Sequence, residues 1–175
     1  MPRFLASILA MLGLAKRGRV PGEGPEAYQR LRQQVLTLDP TTIGIKPDAS
    51  DRIWGVVMET GYPNGVATLV TLADGTVSLY FSKGGGMIGL GEHESALRAS
   101  RALIAAAGSY LGETALTSTF PLPDEGYTRF FLLTLDGIFT AGAKEEDLGM
   151  NRLPLSPLFD KAQEVITQAR LTSDK

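Results

Sequence analysis

The chain has no cysteine, and His93 is its one histidine among 175 residues. Without cysteine there is no disulfide, thiolate zinc site, iron–sulfur cluster or cysteine nucleophile. A lone imidazole also leaves no spare candidates for a multi-histidine metal site or a Ser-His-Asp triad. Basic charge is scarce outside the amino terminus. The first 22 residues carry Arg3, Lys16, Arg17 and Arg19 with no acid, so residues 23–175 hold 13 basic against 19 acidic residues. An acidic body lacks the basic stripe that a duplex needs, which argues against nucleic acid as a partner. The apolar run Phe4 to Ala15 is too short to cross a bilayer, for which a helix needs about 20 residues.

What is present suits a folded domain. The composition is 43% hydrophobic and 21% charged, and a chain of this length buries about two-thirds of its unfolded surface. Residues 1–22 read as a separate apolar, basic-flanked segment with a linker, Arg17 to Pro25, rich in glycine and proline. Its first expectation is a helix packed on the body or on a partner. Its second is an interfacial helix that brings residues 4–19 to a membrane surface with the basic flanks snorkelling. A signal peptide comes third, because the basic cluster after Gly13-Leu14-Ala15 disfavours export. The expected location is the cytoplasm, with membrane association open and secretion less favoured.

Residues 23–175 read as one α+β domain. Pro25 opens a helix to about Leu38 on the spacing of Tyr28, Leu31, Val35 and Leu38. Ile53 to Glu59 is a strand ended by the turn Gly61 to Gly65. Val66 to Leu72 and Thr76 to Ser82 flank Ala73-Asp74-Gly75 as a hairpin, with Asp74-Gly75 as its two-residue loop. A two-residue tip there pairs Leu72 with Val77 and Val70 with Leu79 on one buried face, leaving Thr71, Ser78 and Tyr80 on the other. Glu92 to Leu111 is a helix with a stripe of Leu97, Ser100, Ile104, Ala107 and Leu111. A second hairpin turns at Asp136-Gly137, and Ser156-Pro157 starts a last helix with Leu158, Ala162, Val165 and Ala169 on one face. Hairpins interrupted by single helices imply an antiparallel sheet of about five strands with helices packed on it. This order of elements over residues 25–170 is similar to the profilin-like arrangement, which includes the roadblock type of adaptor. The resemblance carries no functional residue with it.

The conspicuous local feature is Lys83-Gly-Gly-Gly-Met-Ile-Gly-Leu-Gly-Glu-His-Glu94. Gly84, Gly86 and Gly89 satisfy G-x-G-x-x-G, but the preceding strand belongs to a hairpin and Glu92 and Glu94 would repel an anion at the helix start. Glu92, His93 and Glu94 point about 100° apart on a helix and do not converge on a metal. The structural reading makes the glycines a sharp strand-to-helix passage. The functional reading makes Lys83, Gly84, Gly85, Gly86, Gly89, Gly91, Glu92 and His93 a ligand- or partner-binding loop. With no nucleophile and base to assemble, the expectation is a non-catalytic binding or adaptor domain without a cofactor. Its partner would be a protein or small molecule, and a homodimer stays open. The alternative is a small enzyme or ligand-binding protein with its site on this loop, in a pocket that would also include Tyr80 and Trp54.

Overall fold

The computed structural model describes residues 24–46 and 52–173. The readings of the amino-terminal segment fall on residues outside these. Helix α1 (Pro25–Leu36) starts at a proline, whose missing N–H costs nothing at a first helical turn, and buries Tyr28, Leu31 and Leu36. A 3-10 turn (Pro40–Ile43) follows, capped by the Asp39 carboxylate, which accepts the Thr41 N–H at 2.9 Å. Then come β1 (Ile53–Tyr62), β2 (Gly65–Leu72), β3 (Val77–Phe81), β4 (Gly86–Met87), α2 (Glu94–Ala107) and β5 (Ala115–Thr117). The chain continues with β6 (Tyr127–Thr134), β7 (Gly137–Lys144), α3 (Glu145–Gly149) and α4 (Ser156–Ser173). All pairings between these strands are antiparallel, and the sheet order is β4-β3-β2-β1-β6-β7-β5.

The expected α+β antiparallel architecture holds. The expected five strands become seven among the described residues, because β4 and β5 are two and three residues long. Such short strands carry no detectable period. Helices cover both faces of the sheet. Val56, Met58, Leu69, Leu79, Phe130 and Leu132 pack against Leu103 and Ala107 of α2 and Leu158, Ala162, Val165 and Ala169 of α4. On the other face Trp54, Val57, Val70, Tyr80, Phe131 and Leu133 meet Tyr28, Leu31 and Leu36 of α1.

Covering both faces removes the constraint that would have fixed the first hairpin. Asp74-Gly75 is at its tip, but the observed pairs are Thr71 with Val77, Val70 with Ser78 and Leu69 with Leu79, one residue away from expectation. The tip is the three-residue loop Ala73-Asp74-Gly75, closed by Leu72 N–H to the Thr76 carbonyl at 2.9 Å. Gly75 alone of the three has positive φ, at 95°. The slip puts Val70 and Leu72 in one core and Val77 and Leu79 in the other. The polar residues assigned to a wet face, Thr71, Ser78 and Tyr80, are buried as well. A period of two discriminates between registers only when one face is solvated.

Candidate functional site

The glycine stretch forms the β3–β4 turn and the entry to α2. Gly84 N–H donates to the Phe81 carbonyl at 2.9 Å and Phe81 N–H donates to the Gly85 carbonyl at 3.1 Å, closing a tight loop. Gly86 lies so close to the β3 backbone that a Cβ would strike the Leu79 carbonyl. Gly91 likewise sits against the Gly75 carbonyl of the first hairpin tip. Gly84 faces the backbone of Gly24, where the chain enters α1. Gly85 and Gly89 have open space where a side chain would begin. Lys83, Glu92 and His93 are exposed. The Lys83 side chain passes the start of β2, within 3.2 Å of where a Gly65 Cβ would lie. His93 follows Gly91 near the opposite end of the β2–β3 ribbon, and the length of β3 separates the two by roughly 15 Å. Lys83 and His93 are therefore not brought together.

A broad cleft opens where β1 begins, beside the carboxyl end of α2. It encloses about 750 Å³ and is lined by Ile45, Ile53, Trp54, Ile104 and Leu111, with Lys46, Arg52 and Arg101 as its charged groups. Of the pocket residues expected from sequence, Trp54 lines it; Tyr80, Lys83 and His93 do not. Arg52 is paired with Asp136 across the second hairpin tip. No ion pair engages Lys46 or Arg101 among the described residues. The described lining contains no carboxylate, imidazole or hydroxyl, so it has groups that attract an anion and apolar surface, but no general acid–base pair. A cleft of this size falls within the range of ligand pockets, roughly 300–1,000 Å³.

The chain's most elaborate polar cluster lies under α1. Glu59 of β1 is fully buried, and Arg32 of α1 holds both of its oxygens, Nε to Oε1 at 2.7 Å and Nη2 to Oε2 at 2.9 Å. Arg32 Nη2 also donates to the Phe120 carbonyl at 2.7 Å, and the Phe120 ring stands edge-on to Phe131 at 5.6 Å. Thr68 donates to Glu59 Oε1 at 3.1 Å, so its one proton is committed and Tyr28 must donate to it, at 2.8 Å. Burial, then the Glu59 charge, pushes the Tyr28 hydroxyl up to about 12. Burial pulls the Arg32 guanidinium down, but the hydrogen bond and charge of Glu59 outweigh it and hold Arg32 above its ordinary value. Every member of this cluster is satisfied by another, which is the signature of a structural clamp joining α1, the sheet and the loop after β5.

Sequence reading missed both the cleft and the clamp. Lys46, Trp54 and Arg101 come from separate stretches, and no local pattern announces that they meet. Glu59 did leave a trace: an acid ending the apolar run Ile-Trp-Gly-Val-Val-Met, in a strand long enough to be central, needs a buried cationic partner. Among the described residues no three His, Asp or Glu side chains are grouped to hold a metal ion, and no helix is long and apolar enough to cross a membrane. No family model, curated protein or solved structure matches the chain.

Proposed function

We propose that this domain is a non-catalytic binding module whose cleft between the start of β1 and the carboxyl end of α2 takes a small amphiphilic anion: an apolar body with a carboxylate or phosphate head. One observation carries the reading. The cleft combines the apolar wall Ile53, Trp54, Ile104 and Leu111 with the cations Lys46 and Arg101, and its described lining has no group suited to acid–base chemistry. The profilin-like arrangement stays part of this proposal. An antiparallel sheet with helices on both faces supports it, and it lends no ligand.

Trp54 is the chain's sole tryptophan and lines the cleft, so its fluorescence reports occupancy without a label. A medium-chain carboxylate should change the emission saturably, and the alcohol of equal length should bind at least about tenfold more weakly, since it lacks the charge that the cations attract. Arg101→Ala should weaken the carboxylate and leave the alcohol unchanged. Equal responses to acid and alcohol, or none to either, would remove the reading. A second reading puts a ligand on Lys83, Gly84, Gly85, Gly86, Gly89, Gly91, Glu92 and His93, favoured by the exposed Lys83 and His93 and the open space over Gly85 and Gly89. Loss of partner capture in a Lys83→Ala, His93→Ala variant, with the Trp54 response intact, would favour it.

A further inference from the structure

A second cationic site lies on the sheet itself, away from the cleft. Tyr127 and Arg129 of β6 pair with Lys144 and Gly142 of β7, so all four project from the face that α1 covers elsewhere. Arg129 is also the direct cross-strand partner of Glu59, yet the Glu59 carboxylate is held by Arg32. Two arginines thus flank one acid, leaving an uncompensated positive charge on a partly buried face.

Arg129 is half-buried, and its Nε is buried with no hydrogen-bond partner. Its guanidinium lies over Gly142, where a Cβ would stand 3.7 Å from Cζ and 3.8 Å from Nη2. Gly142 is exposed and sets no side chain beside the guanidinium, and exposed Lys144 stands diagonally across from Arg129, within about 8 Å by strand geometry. No ion pair engages either cation among the described residues. Tyr127, 43% exposed, offers an aromatic wall on the same side.

We propose that Arg129 and Lys144 form an oxyanion-binding site over Gly142, taking a carboxylate or phosphate group that the guanidinium grips through two parallel hydrogen bonds. The planar fork suits such bidentate contact, whereas a lysine alone acts as a point charge. This site is independent of the cleft reading, because no residue is shared.

The test uses the full chain and amide NMR at Tyr127 and Gly142, titrated with inorganic phosphate or acetate against chloride at matched ionic strength. Saturable shifts with either oxyanion are expected, weakened at least about tenfold in Arg129→Gln and less in Arg129→Lys, which keeps charge but loses the fork. Lys144→Gln, on an exposed side chain with no capping bond to α3, gives a second reading if the Arg129 variants unfold. Arg101→Gln should leave the shifts unchanged. Equal shifts with chloride, persistence in both Arg129→Gln and Lys144→Gln, or loss in Arg101→Gln would overturn the site.

Discussion

Against α2 and α4 the sheet presents Val56, Met58, Leu69, Leu79, Phe130 and Leu132, and two buried hydrogen bonds lie on that face, Thr60 with Thr128 at 2.9 Å and the Thr71 hydroxyl to the Val56 carbonyl at 3.0 Å. Against α1 the same strands present Trp54, Val57 and Phe131 together with Glu59 and Thr68. Among the described residues the first face is sealed without a buried ion pair, chiefly by apolar contact. On the second, a helix of 12 residues with no side-chain cap at its start is fixed by an ion pair. The two seals fail differently: an apolar seal loses stability in proportion to what is removed, whereas a buried ion pair turns from asset to liability once either charge is left alone.

The heaviest loss of stability follows from that asymmetry. Arg32→Ala strands the Glu59 carboxylate in a fully buried position and should cost about 3–5 kcal/mol in denaturant unfolding. Adding Glu59→Gln should return part of that loss, since no buried charge remains. Leu158→Ala on the opposite face should cost about 2–5 kcal/mol, with no partner substitution able to restore it. If Arg32→Ala is nearly neutral, the two faces do not differ in kind.

Next comes the register that two-sided burial leaves weakly specified by side-chain pattern. Gly75, at φ 95°, is also where the Gly91 backbone leans on the first hairpin. Gly75→Val should cost on the order of 1–3 kcal/mol, because a β-branched residue resists positive φ. Asp74→Ala removes the carboxylate that accepts the Thr76 N–H at 2.9 Å and should cost less, about 1 kcal/mol. A Gly75→Val chain as stable as wild type would mean that the three-residue loop does not set the register.

A smaller effect separates the faces by pH. The Tyr28 hydroxyl ionises near 10 unfolded and at about 12 folded, so the native state binds the extra proton between these values. Its contribution is complete below pH 10 and is lost as pH rises through 12. Wild type should lose on the order of 1–2 kcal/mol more than Tyr28→Phe across that window. Parallel pH curves for the two would place the Tyr28 hydroxyl outside the clamp.

How far this was legible from sequence follows the same division. The α4 stripe Leu158, Ala162, Val165 and Ala169 is buried as its spacing predicts, because that helix has one wet side. The α2 stripe matches its spacing only in part: Ser100 and Ala107 are buried with Ala96 and Leu103, while Leu97 and Ile104 are at the margin. Small alanines blur the boundary of such a face. Both Asp-Gly pairs lie at hairpin ends, but the second tip is Leu135-Asp136, with Thr134 paired to Gly137. Turn chemistry locates a reversal more firmly than it fixes the register. The cleft left no local signal, since its cations are dispersed along the chain and its walls look like ordinary core.

The two arginines beside Glu59, one on the neighbouring strand β6 and one on α1, should contribute unequally to stability. Cross-strand register alone would pair Glu59 with Arg129, its neighbour on β6. Arg32 instead descends from α1 and engages both carboxylate oxygens, while Arg129 turns outward over Gly142. Removing Arg129 therefore breaks no ion pair and removes a buried Nε that has no hydrogen-bond partner. Arg129→Ala should change unfolding free energy by no more than about 0.5 kcal/mol, or raise it slightly, beside the several kcal/mol lost in Arg32→Ala. The double variant tests whether Arg129 can take over the carboxylate when Arg32 is gone. If it does, the paired loss will exceed the sum of the single losses, because Arg129 carries weight only once Arg32 is absent. Strict additivity would mean that Arg129 stays over Gly142 whatever happens to Glu59. A large loss from Arg129→Ala alone would mean that both arginines hold the acid in solution.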